Sequence, residues 1–214
     1  MTTRILIADD HAIFRHGLRQ ILEENPELTV VGEASNGQEV LDQVWKHDCD
    51  LLLLDISMPG MNGLEALKQL RSQKPKLRVL VLSMYPEEQY AIRALKAGAS
   101  GYITKASASE ELMEAIRKVS MGGRYVSASL AERLLLDLET DTDRPLHEAL
   151  SDREYQVLCM IASGKTVSDI AEELCLSVKT VSTHRVRILE KMKMKNNAEL
   201  TNYAIKHKLI DLTD

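Results

Sequence analysis

Short apolar runs alternate with longer amphipathic stretches over the first 120 residues, and this alternation limits the possible folds more than any other feature of the sequence. Runs of about four to six apolar residues favour parallel strands that are buried on both faces. The stretches between them have the spacing of amphipathic helices. The sequence therefore predicts an α/β doubly wound sheet of five parallel strands in the order 2-1-3-4-5. The runs lie at residues 5–8, 28–31, 51–54, 79–82 and 101–104.

The pattern changes near residue 122, where Gly122 and Gly123 break a helix. Residues 129–138 can form a short helix, and the polar, acidic residues 139–145 end in a proline, which is typical of a linker. After them the spacing is helical, so we expect a small all-α helix-turn-helix domain to follow the sheet domain. The expected division is 1–121 for the sheet domain, 122–147 for the linker with its short helix, and 148–214 for the helical domain.

The composition argues against several classes of protein. The formal net charge is -5 and aromatic residues make up only 4% of the sequence, which disfavours a wholly basic nucleic-acid binder and a protein that stacks many bases on rings. Cys49, Cys159 and Cys175 have no C-x-x-C spacing, so we expect reduced thiols in a cytoplasmic protein. No stretch approaches the roughly 18 apolar residues of a membrane span, so no membrane partner is expected.

Charge is divided unevenly within the helical domain. Residues 148–178 carry six acidic residues against two basic ones, whereas residues 179–208 carry eight lysines and arginines against two acidic residues. A domain with one acidic half and one basic half presents a directional electrostatic face. The basic half therefore indicates a surface that can meet phosphate groups, although the chain as a whole is acidic.

Three carboxylates are expected at one end of the sheet. Asp9 and Asp10 follow the first strand and Asp55 ends the third, and these strands are neighbours in the predicted order. Like charges this close repel, and a bound cation relieves the repulsion; oxygen ligands favour Mg²⁺. Ser83 and Lys105 follow the fourth and fifth strands and add a hydroxyl and an ammonium group. Together these groups indicate phosphoryl transfer, whereas one aspartate alone is more often a helix cap.

The residues around these strand ends resemble the receiver domain of two-component response regulators. The resemblance spans residues 4–120. It rests on the motifs at residues 7–11 and 54–63, on the Leu82-Ser83 pair and on Lys105. It implies the doubly wound fold, and a sensor histidine kinase as the partner that donates a phosphoryl group.

The resemblance also implies a role for each residue of the site. Asp55 would be the phosphoacceptor, and Lys105 would pair with the phosphoryl group. Ser83 would hydrogen-bond a phosphoryl oxygen in the active state, and Tyr102 would change its rotamer at the same time. A phosphoaspartate adds charge and acceptor oxygens, so it can bias a two-state surface beside these strands. The Mg²⁺ ligands would be Asp9 (mostly through water), Asp10, Asp55 and the carbonyl group of Ser57.

Glycines and histidines near the site are expected to have ordinary roles. His11 and His16 lie five residues apart on the first helix, whereas two metal ligands on one helix face are usually four apart, so we expect both to face solvent. The glycines lack the spacing and the following lysine of a phosphate-binding loop. We interpret them as turn residues: Gly60, Gly63, Gly98 and Gly101.

Capping signals divide the helical domain into four helices. Ser151 with Glu154, and Asn196 with Glu199, have the spacing of capping boxes, and Ser177 is a good N-cap for the third helix. That helix has an expected inward stripe at Val181, Ile188, Leu189 and Met192. Its other side carries small polar, basic and methyl-bearing side chains that suit base edges and phosphates: Lys179, Ser182, Thr183, Val186 and Arg187.

Residues 148–210 resemble the LuxR-type helix-turn-helix, on the motifs at 150–154, 168–171 and 176–184. A receiver followed by this domain is the arrangement of the NarL/FixJ subfamily of response regulators. The resemblance implies a homodimer on double-stranded DNA, with a fourth helix that helps to pair the two copies through Leu200 and Tyr203. DNA contacts are expected at Lys179, Thr180, Ser182, Thr183, His184, Val186, Arg187 and Lys191.

The leading interpretation is a DNA-binding transcription regulator, not an enzyme, that a sensor histidine kinase switches by phosphorylating Asp55. One alternative is a phosphorylation-independent DNA-binding regulator with a vestigial acid pocket. Another is a Mg²⁺-dependent phosphatase or phosphotransferase that uses Asp10 and Asp55; it would need a cap over its substrate, for which the short loops leave no obvious room. Phosphate uptake at Asp55 from a small phosphodonor distinguishes these three interpretations.

Overall fold

The structure is a computed structural model that describes residues 2–139 and 145–210. It divides into two compact units, Met1–Ala131 and Glu132–Asp214. Five residues of the predicted linker region, 140–144, and the last four residues, 211–214, lie outside the described residues. The domain boundaries expected after residues 121 and 147 stay a prediction.

The first unit contains a five-stranded parallel sheet in the order β2-β1-β3-β4-β5, which confirms the predicted fold class. Five helices alternate with the strands, as the hydrophobic pattern indicates. The strands are β1 (Thr3–Ala8), β2 (Leu28–Ala34), β3 (Leu51–Asp55), β4 (Arg78–Ser83) and β5 (Gly101–Thr104). The helices are α1 (Ala12–Glu23), α2 (Gly37–Lys46), α3 (Gly63–Gln73), α4 (Glu87–Ala97) and α5 (Ala108–Ser120).

Both faces of the central strands are buried, which explains why their sequences are continuously apolar. All five residues of β3 are buried. One face packs against α1 and α5, where side chains such as Leu18 and Leu112 complete a single core cluster. The strand residues of that cluster alternate with equally buried neighbours on the other face, as a period of two requires: Ile5, Ile7, Leu51, Leu53, Leu80, Leu82 and Ile103.

The strand register brings the polar residues to one edge of the sheet. Ala8 pairs with Leu54, so the residues that follow them, Asp9 and Asp55, leave the sheet at the same level. On the other side of β3, Ser83 pairs with Thr104. Lys105 follows directly, and its amide donates to the carbonyl oxygen of Ser83 at 2.7 Å. The site is therefore set by rigid strand ends rather than by long loops.

The four glycines have two different roles. Gly60 and Gly98 have φ angles of 68° and 107°, which agrees with the turn interpretation. Gly63 and Gly101 are not turn residues, which corrects that interpretation for both. A Cβ on Gly63 would lie 2.0 Å from the carbonyl oxygen of Asp55, and one on Gly101 would lie 2.7 Å from that of Tyr125. Glycine is needed at these two positions because backbone or helix packs directly against a strand.

The chain after α5 returns along the edge of the sheet. Tyr125 forms a parallel bridge with Gly101, and its carbonyl oxygen accepts from the amide of Tyr102 at 3.3 Å. Ser127 then accepts from the amide of Leu130 and donates to Glu87 at 2.5 Å. Helix α6 (Ala128–Glu139) follows, at the place where a short helix is predicted.

The second unit includes the end of α6 and, among its described residues after 144, a 3-10 helix (Leu146–Ala149) and four α-helices, which confirms that a helical domain follows the sheet. Ser151 and Ser177 cap their helices as predicted. Asn196 also caps, but Glu199 binds the amide of Lys195 rather than that of Asn196, so the predicted capping box is only half formed. The helices are α7 (Asp152–Ala162), α8 (Val167–Glu173), α9 (Val178–Met192) and α10 (Asn197–Lys206). Among the described helices, none combines the length and the apolar character that a membrane crossing requires.

Candidate functional site

Lys105 lies between two buried carboxylates at the carboxyl edge of the sheet. Its Nζ is 2.6 Å from Asp9 Oδ2 and 2.7 Å from Asp55 Oδ2. The side chains of Lys105, Asp9 and Asp55 are 5%, 2% and 1% exposed, so water screens these contacts very little. The structure therefore brings together three of the residues that the sequence analysis assigns to the site.

Burial and neighbouring charges shift the pKa values of Asp55 and Lys105. Burial raises the pKa of the Asp55 carboxyl; Asp9 acts in the same direction and Lys105 opposes it. Burial also disfavours the charged form of Lys105, but the two carboxylates outweigh it and raise the pKa of the ammonium group. One ammonium thus balances only part of the negative charge of two buried carboxylates.

Asp10 lies beside this pair but is exposed to solvent. The imidazole of His11 is its neighbour, with Nδ1 2.7 Å from Asp10 Oδ1 and 3.3 Å from Asp9 Oδ1. His11 and His16 are both exposed, as expected, but the contact of His11 with the carboxylates was not predicted from its spacing to His16. The informative signal was the direct adjacency of His11 to two aspartates at a strand end.

Two further residues of α1 support the pocket and were also missed. Arg15 donates from Nη1 to the carbonyl oxygen of Asp9 at 2.6 Å, and its Nε binds Glu33 at 3.1 Å. This bridge fixes the chain between β1 and α1. The ring of Phe14 has its centroid 4.6 Å from Nζ of Lys105, which is a cation–π distance. Phe14 and Arg15 reach the pocket because α1 begins shortly after the aspartates and carries both residues in its first turn.

The predicted switch residues form a chain of contacts next to Asp55. Ser83 is fully buried, and its Oγ accepts from the amide of Tyr85 at 3.1 Å. The hydroxyl of Tyr102, also fully buried, donates to the carbonyl oxygen of Tyr85 at 2.7 Å. Burial raises the pKa of this phenol, so it stays neutral. The second carboxylate oxygen of Asp55, Oδ1, accepts from the amide of Ser57 at 3.0 Å.

The donor set fits a divalent cation. Ligand atoms of Asp9, Asp10, His11 and Asp55 lie within 4.8 Å of one another, the one such group in residues 2–139 and 145–210. Carboxylate oxygens are the ligands that Mg²⁺ takes in proteins, and two of these carboxylates are buried and share one lysine. A carboxylate nucleophile, a lysine and such a cation can together stabilise a transferring phosphoryl group.

Helix α9 in the second unit presents two distinct sides. Val181, Ile188 and Met192 of the predicted inward stripe are buried, and its fourth member, Leu189, is half-buried. Lys179 and Arg187 are exposed, as are Thr183 and Val186. The remaining candidates near the start of the helix are half-buried: Thr180, Ser182 and His184. Two cations, a hydroxyl and an apolar side chain are thus accessible on one helix.

Lys191, at which a DNA contact is expected, is paired within its own unit. Its Nζ lies 2.6 Å from Oε2 of Glu154, a buried carboxylate that also accepts from the amide of Ser151 at 2.8 Å. Burial opposes the charge on Glu154, but Lys191 and Ser151 outweigh it and lower the pKa of the carboxyl. This pairing joins α9 to the start of α7, so we interpret Lys191 as a structural residue.

The two residues expected to pair copies of the chain have different environments. Leu200 is fully buried in its own unit, so its side chain is not available to a second copy, and this corrects its assignment to a dimer contact. Tyr203 is half-buried, with its hydroxyl 3.0 Å from Nδ1 of His147. Its ring stacks on His207 at 4.1 Å between centroids. The exposed apolar residue of this helix is Ile205, which is 37% exposed.

Comparisons with known proteins match both parts of the chain. Residues 5–117 match the family described as response regulator receiver domain, and residues 148–204 match the family described as bacterial regulatory proteins, luxR family. The response regulator GacA of Pseudomonas protegens is 38% identical over 209 residues, which cover 97% of this chain and 98% of GacA. The response regulator UvrY of Escherichia coli K12 is 36% identical over 206 residues, covering 96% of this chain and 94% of UvrY.

A solved structure is similar to this chain over nearly its whole length. It is that of RcsB from Salmonella enterica serovar Typhimurium, bound to the promoter rprA in the presence of the phosphomimetic BeF3-. RcsB is 28% identical to this chain, the two align with a TM-score of 0.66, and the match covers 95% of this chain and 98% of RcsB. The match therefore spans nearly the full length of both chains.

Proposed function

The chain belongs to the response regulators that join a receiver domain to a LuxR-type helix-turn-helix, the NarL/FixJ subfamily, and we propose that phosphorylation of Asp55 switches its binding to DNA. The observation that carries this proposal is the buried triplet of Asp9, Asp55 and Lys105 at the carboxyl edge of the sheet. The donor is a sensor histidine kinase, and the chain acts as a transcription regulator rather than as an enzyme on small molecules. Because its partner is DNA, we place it in the cytoplasm.

Asp55 is positioned to act as the nucleophile. One of its carboxylate oxygens attacks the phosphorus atom of a phosphohistidine; a P–O bond forms, the P–N bond breaks, and the imidazole leaves with the electron pair. Ser57 holds the other side of the carboxylate through its amide, which orients the group. Lys105 already contacts Asp55 and would pair with the phosphoryl oxygens after transfer.

Asp9, Asp10, Asp55 and the carbonyl group of Ser57 would hold Mg²⁺. Asp9 and Asp55 are buried and Asp10 is exposed, which leaves the site open to solvent on one side. When bound, the ion would neutralise negative charge on the phosphoryl oxygens. The support for this assignment is the excess of buried negative charge over the single ammonium of Lys105.

Ser83 and Tyr102 are proposed to transmit the change. A phosphoryl group on Asp55 offers new acceptor oxygens, and Ser83 Oγ can leave the amide of Tyr85 to donate to one of them. Tyr85 also accepts from the hydroxyl of Tyr102, so a shift of this loop releases that phenol. Because this loop continues into α4, the same shift would move α4 and change the protein surface beside β5.

Helix α9 is the proposed DNA-reading element. Lys179 and Arg187 would contact phosphates, and Thr183 and Val186 would contact base edges, with Thr180, Ser182 and His184 beside them. RcsB is seen bound to promoter DNA, and two RcsB dimers are seen bound to two parallel DNAs. For this chain we propose a homodimer on DNA in which Tyr203 takes part and Leu200 does not.

Replacing Asp55 by asparagine tests this function. The amide cannot act as the nucleophile, so Asp55→Asn should take up no phosphoryl group from acetyl phosphate with Mg²⁺, measured by intact-protein mass spectrometry. Asp42→Asn, at an exposed aspartate of α2, is the matched control and should be labelled like the unaltered chain. Equal labelling of the Asp55 variant would contradict the proposal, and no labelling of any form would favour a regulator that does not depend on phosphorylation.

A further inference from the structure

A nitrogen ligand lies among the carboxylates of the candidate cation site. Nδ1 of His11 is 2.7 Å from Asp10 Oδ1 and 3.3 Å from Asp9 Oδ1. A ligand atom of His11 also lies within 4.8 Å of one from Asp55. Four atoms this close can share one ion, because metal–ligand distances of about 2.0–2.2 Å place opposite ligands roughly 4 Å apart.

The local backbone explains why the imidazole lies there. His11 is the N-cap residue of α1, with extended φ and ψ angles of -83° and 102°. An N-cap side chain usually accepts from a helix amide, but the ring of His11 makes no such bond. Its amide donates instead to Asp9 Oδ1 at 2.9 Å, and Arg15 holds the carbonyl oxygen of Asp9. The residue is thereby fixed beside the aspartates while its ring, 64% exposed, can still turn.

We propose that His11 is a ligand of the divalent cation in this pocket, and that the pocket therefore binds Mn²⁺ and later first-row transition ions more tightly than Mg²⁺. The proposal rests on the proposed function, since it concerns the cation that Asp9, Asp10 and Asp55 hold. Its physical basis is ligand softness: Mg²⁺ selects oxygen, whereas imidazole favours transition ions in the order Mn²⁺, Fe²⁺, Co²⁺, Ni²⁺. One nitrogen among oxygens changes the preference without removing the Mg²⁺ site.

The consequence is competition between cations at the phosphoacceptor. A site with oxygen ligands alone would follow the supply of Mg²⁺. With His11 as a ligand, the same pocket also responds to the supply of Mn²⁺ or a later transition ion. The nitrogen therefore determines which cation accompanies Asp55 when both are present.

Pulsed electron paramagnetic resonance on the full chain loaded with Mn²⁺ tests the proposal, because a directly bound imidazole couples its ¹⁴N nucleus to the electron spin. The variant is His11→Gln, which keeps a hydrogen-bonding side chain beside Asp10. The matched control is His16→Gln, at an exposed histidine of the same helix. We expect ¹⁴N coupling in the unaltered chain and in the control, and its loss in His11→Gln.

Calorimetric titration with Mn²⁺ and with Mg²⁺ supplies the second readout. His11→Gln should lower the affinity for Mn²⁺ relative to Mg²⁺ by at least about tenfold, since even the loss of an outer-shell partner of a metal ligand costs about that much. Mn²⁺ that binds without ¹⁴N coupling, or an unchanged ratio of affinities, overturns the role of His11 and leaves the phosphoacceptor function intact. Failure of both cations to bind overturns the proposed cation site itself.

Discussion

Leu200 and Ile205 lie on the same helix of the second unit but have opposite environments. Leu200 is fully buried, whereas Ile205 is 37% exposed. Leu200→Ala should lower the free energy of unfolding of this unit by about 2–5 kcal/mol, because it removes buried methyl groups and leaves a cavity. Ile205→Ala should change it by less than about 1 kcal/mol.

Hydrogen exchange of the full chain, followed by mass spectrometry, measures both variants of α10. Amides of α7 to α10 should lose protection in Leu200→Ala, while amides of the five-stranded sheet serve as the internal reference. If the two variants had equal effects, the packing described for α10 would be wrong.

The pairing of Glu154 with Lys191 makes the second unit sensitive to acid. The pKa of Glu154 lies below its ordinary value of 4.5 in the folded chain. The unfolded chain therefore binds more protons in this range, and the stabilisation is complete above 4.5 and is lost as the pH falls through the lower, folded value. Glu154→Gln should lower the melting temperature at about pH 7 and have a progressively smaller effect as the pH falls well below 4.5.

Calorimetric scans of the full chain at several pH values check this difference. Glu190→Gln, at an exposed glutamate of α9, is the matched control and should change the melting temperature at about pH 7 less than Glu154→Gln does. A Glu154→Gln effect that grew toward low pH would contradict the assigned direction of the pKa shift.

At the scale of the element, helix α9 separates two kinds of positive charge. Lys179 and Arg187 are exposed and make no ion pair within the described residues, whereas Lys191 is held by Glu154. Replacing Lys179 or Arg187 by alanine should weaken binding to every DNA sequence and lower the salt slope by about 1 each. Lys191→Ala should lower the stability of the unit and leave the salt slope almost unchanged.

Fluorescence anisotropy with a selected duplex and a scrambled duplex, at several salt concentrations, measures these slopes. The scrambled duplex shows whether the loss is independent of sequence. If the salt slope fell by the same amount in the Lys179, Arg187 and Lys191 variants, Lys191 would have to be assigned to the DNA-binding face.

The elements differ in how far the sequence predicts them. The strand ends are predictable, because the order and register of the parallel strands place Asp9, Asp55 and Lys105 at one edge of the sheet, independently of the loop conformations. Side-chain contacts are not: His11 faces solvent as expected, but its contacts with Asp9 and Asp10 were not predicted. The buried side of α10 was also not predictable from spacing, because which face is covered depends on the helices that pack around Leu200.

At the scale of the whole molecule, basic charge is concentrated in one short segment of a chain that is acidic elsewhere. Residues 1–121 carry 17 acidic residues against 14 basic ones, whereas residues 179–208 have an excess of basic residues. Because phosphorylation of Asp55 is the proposed switch, we expect the unphosphorylated chain to bind DNA more weakly. Phosphorylation should raise the affinity by roughly 5–150-fold, which is the usual range of allosteric coupling.

Titration of the full chain with a selected duplex, with and without acetyl phosphate and Mg²⁺, measures that ratio. Asp55→Asn is the control and should give the same affinity under both conditions. Equal affinity for the unaltered chain under both conditions would remove the switch and leave a DNA-binding protein with an acid pocket that has lost its role.

Substitutions at Gly63 should be prominent in a genetic screen, although the residue has no reactive side chain. It has no charge and no functional group, yet a Cβ at this position would lie 2.0 Å from the carbonyl oxygen of Asp55. Every missense mutation in a glycine codon adds at least that atom. A genetic screen for alleles that no longer signal should therefore recover Gly63 as readily as the aspartates. A second mutation that restores signalling to a Gly63 allele should let α3 move away from β3.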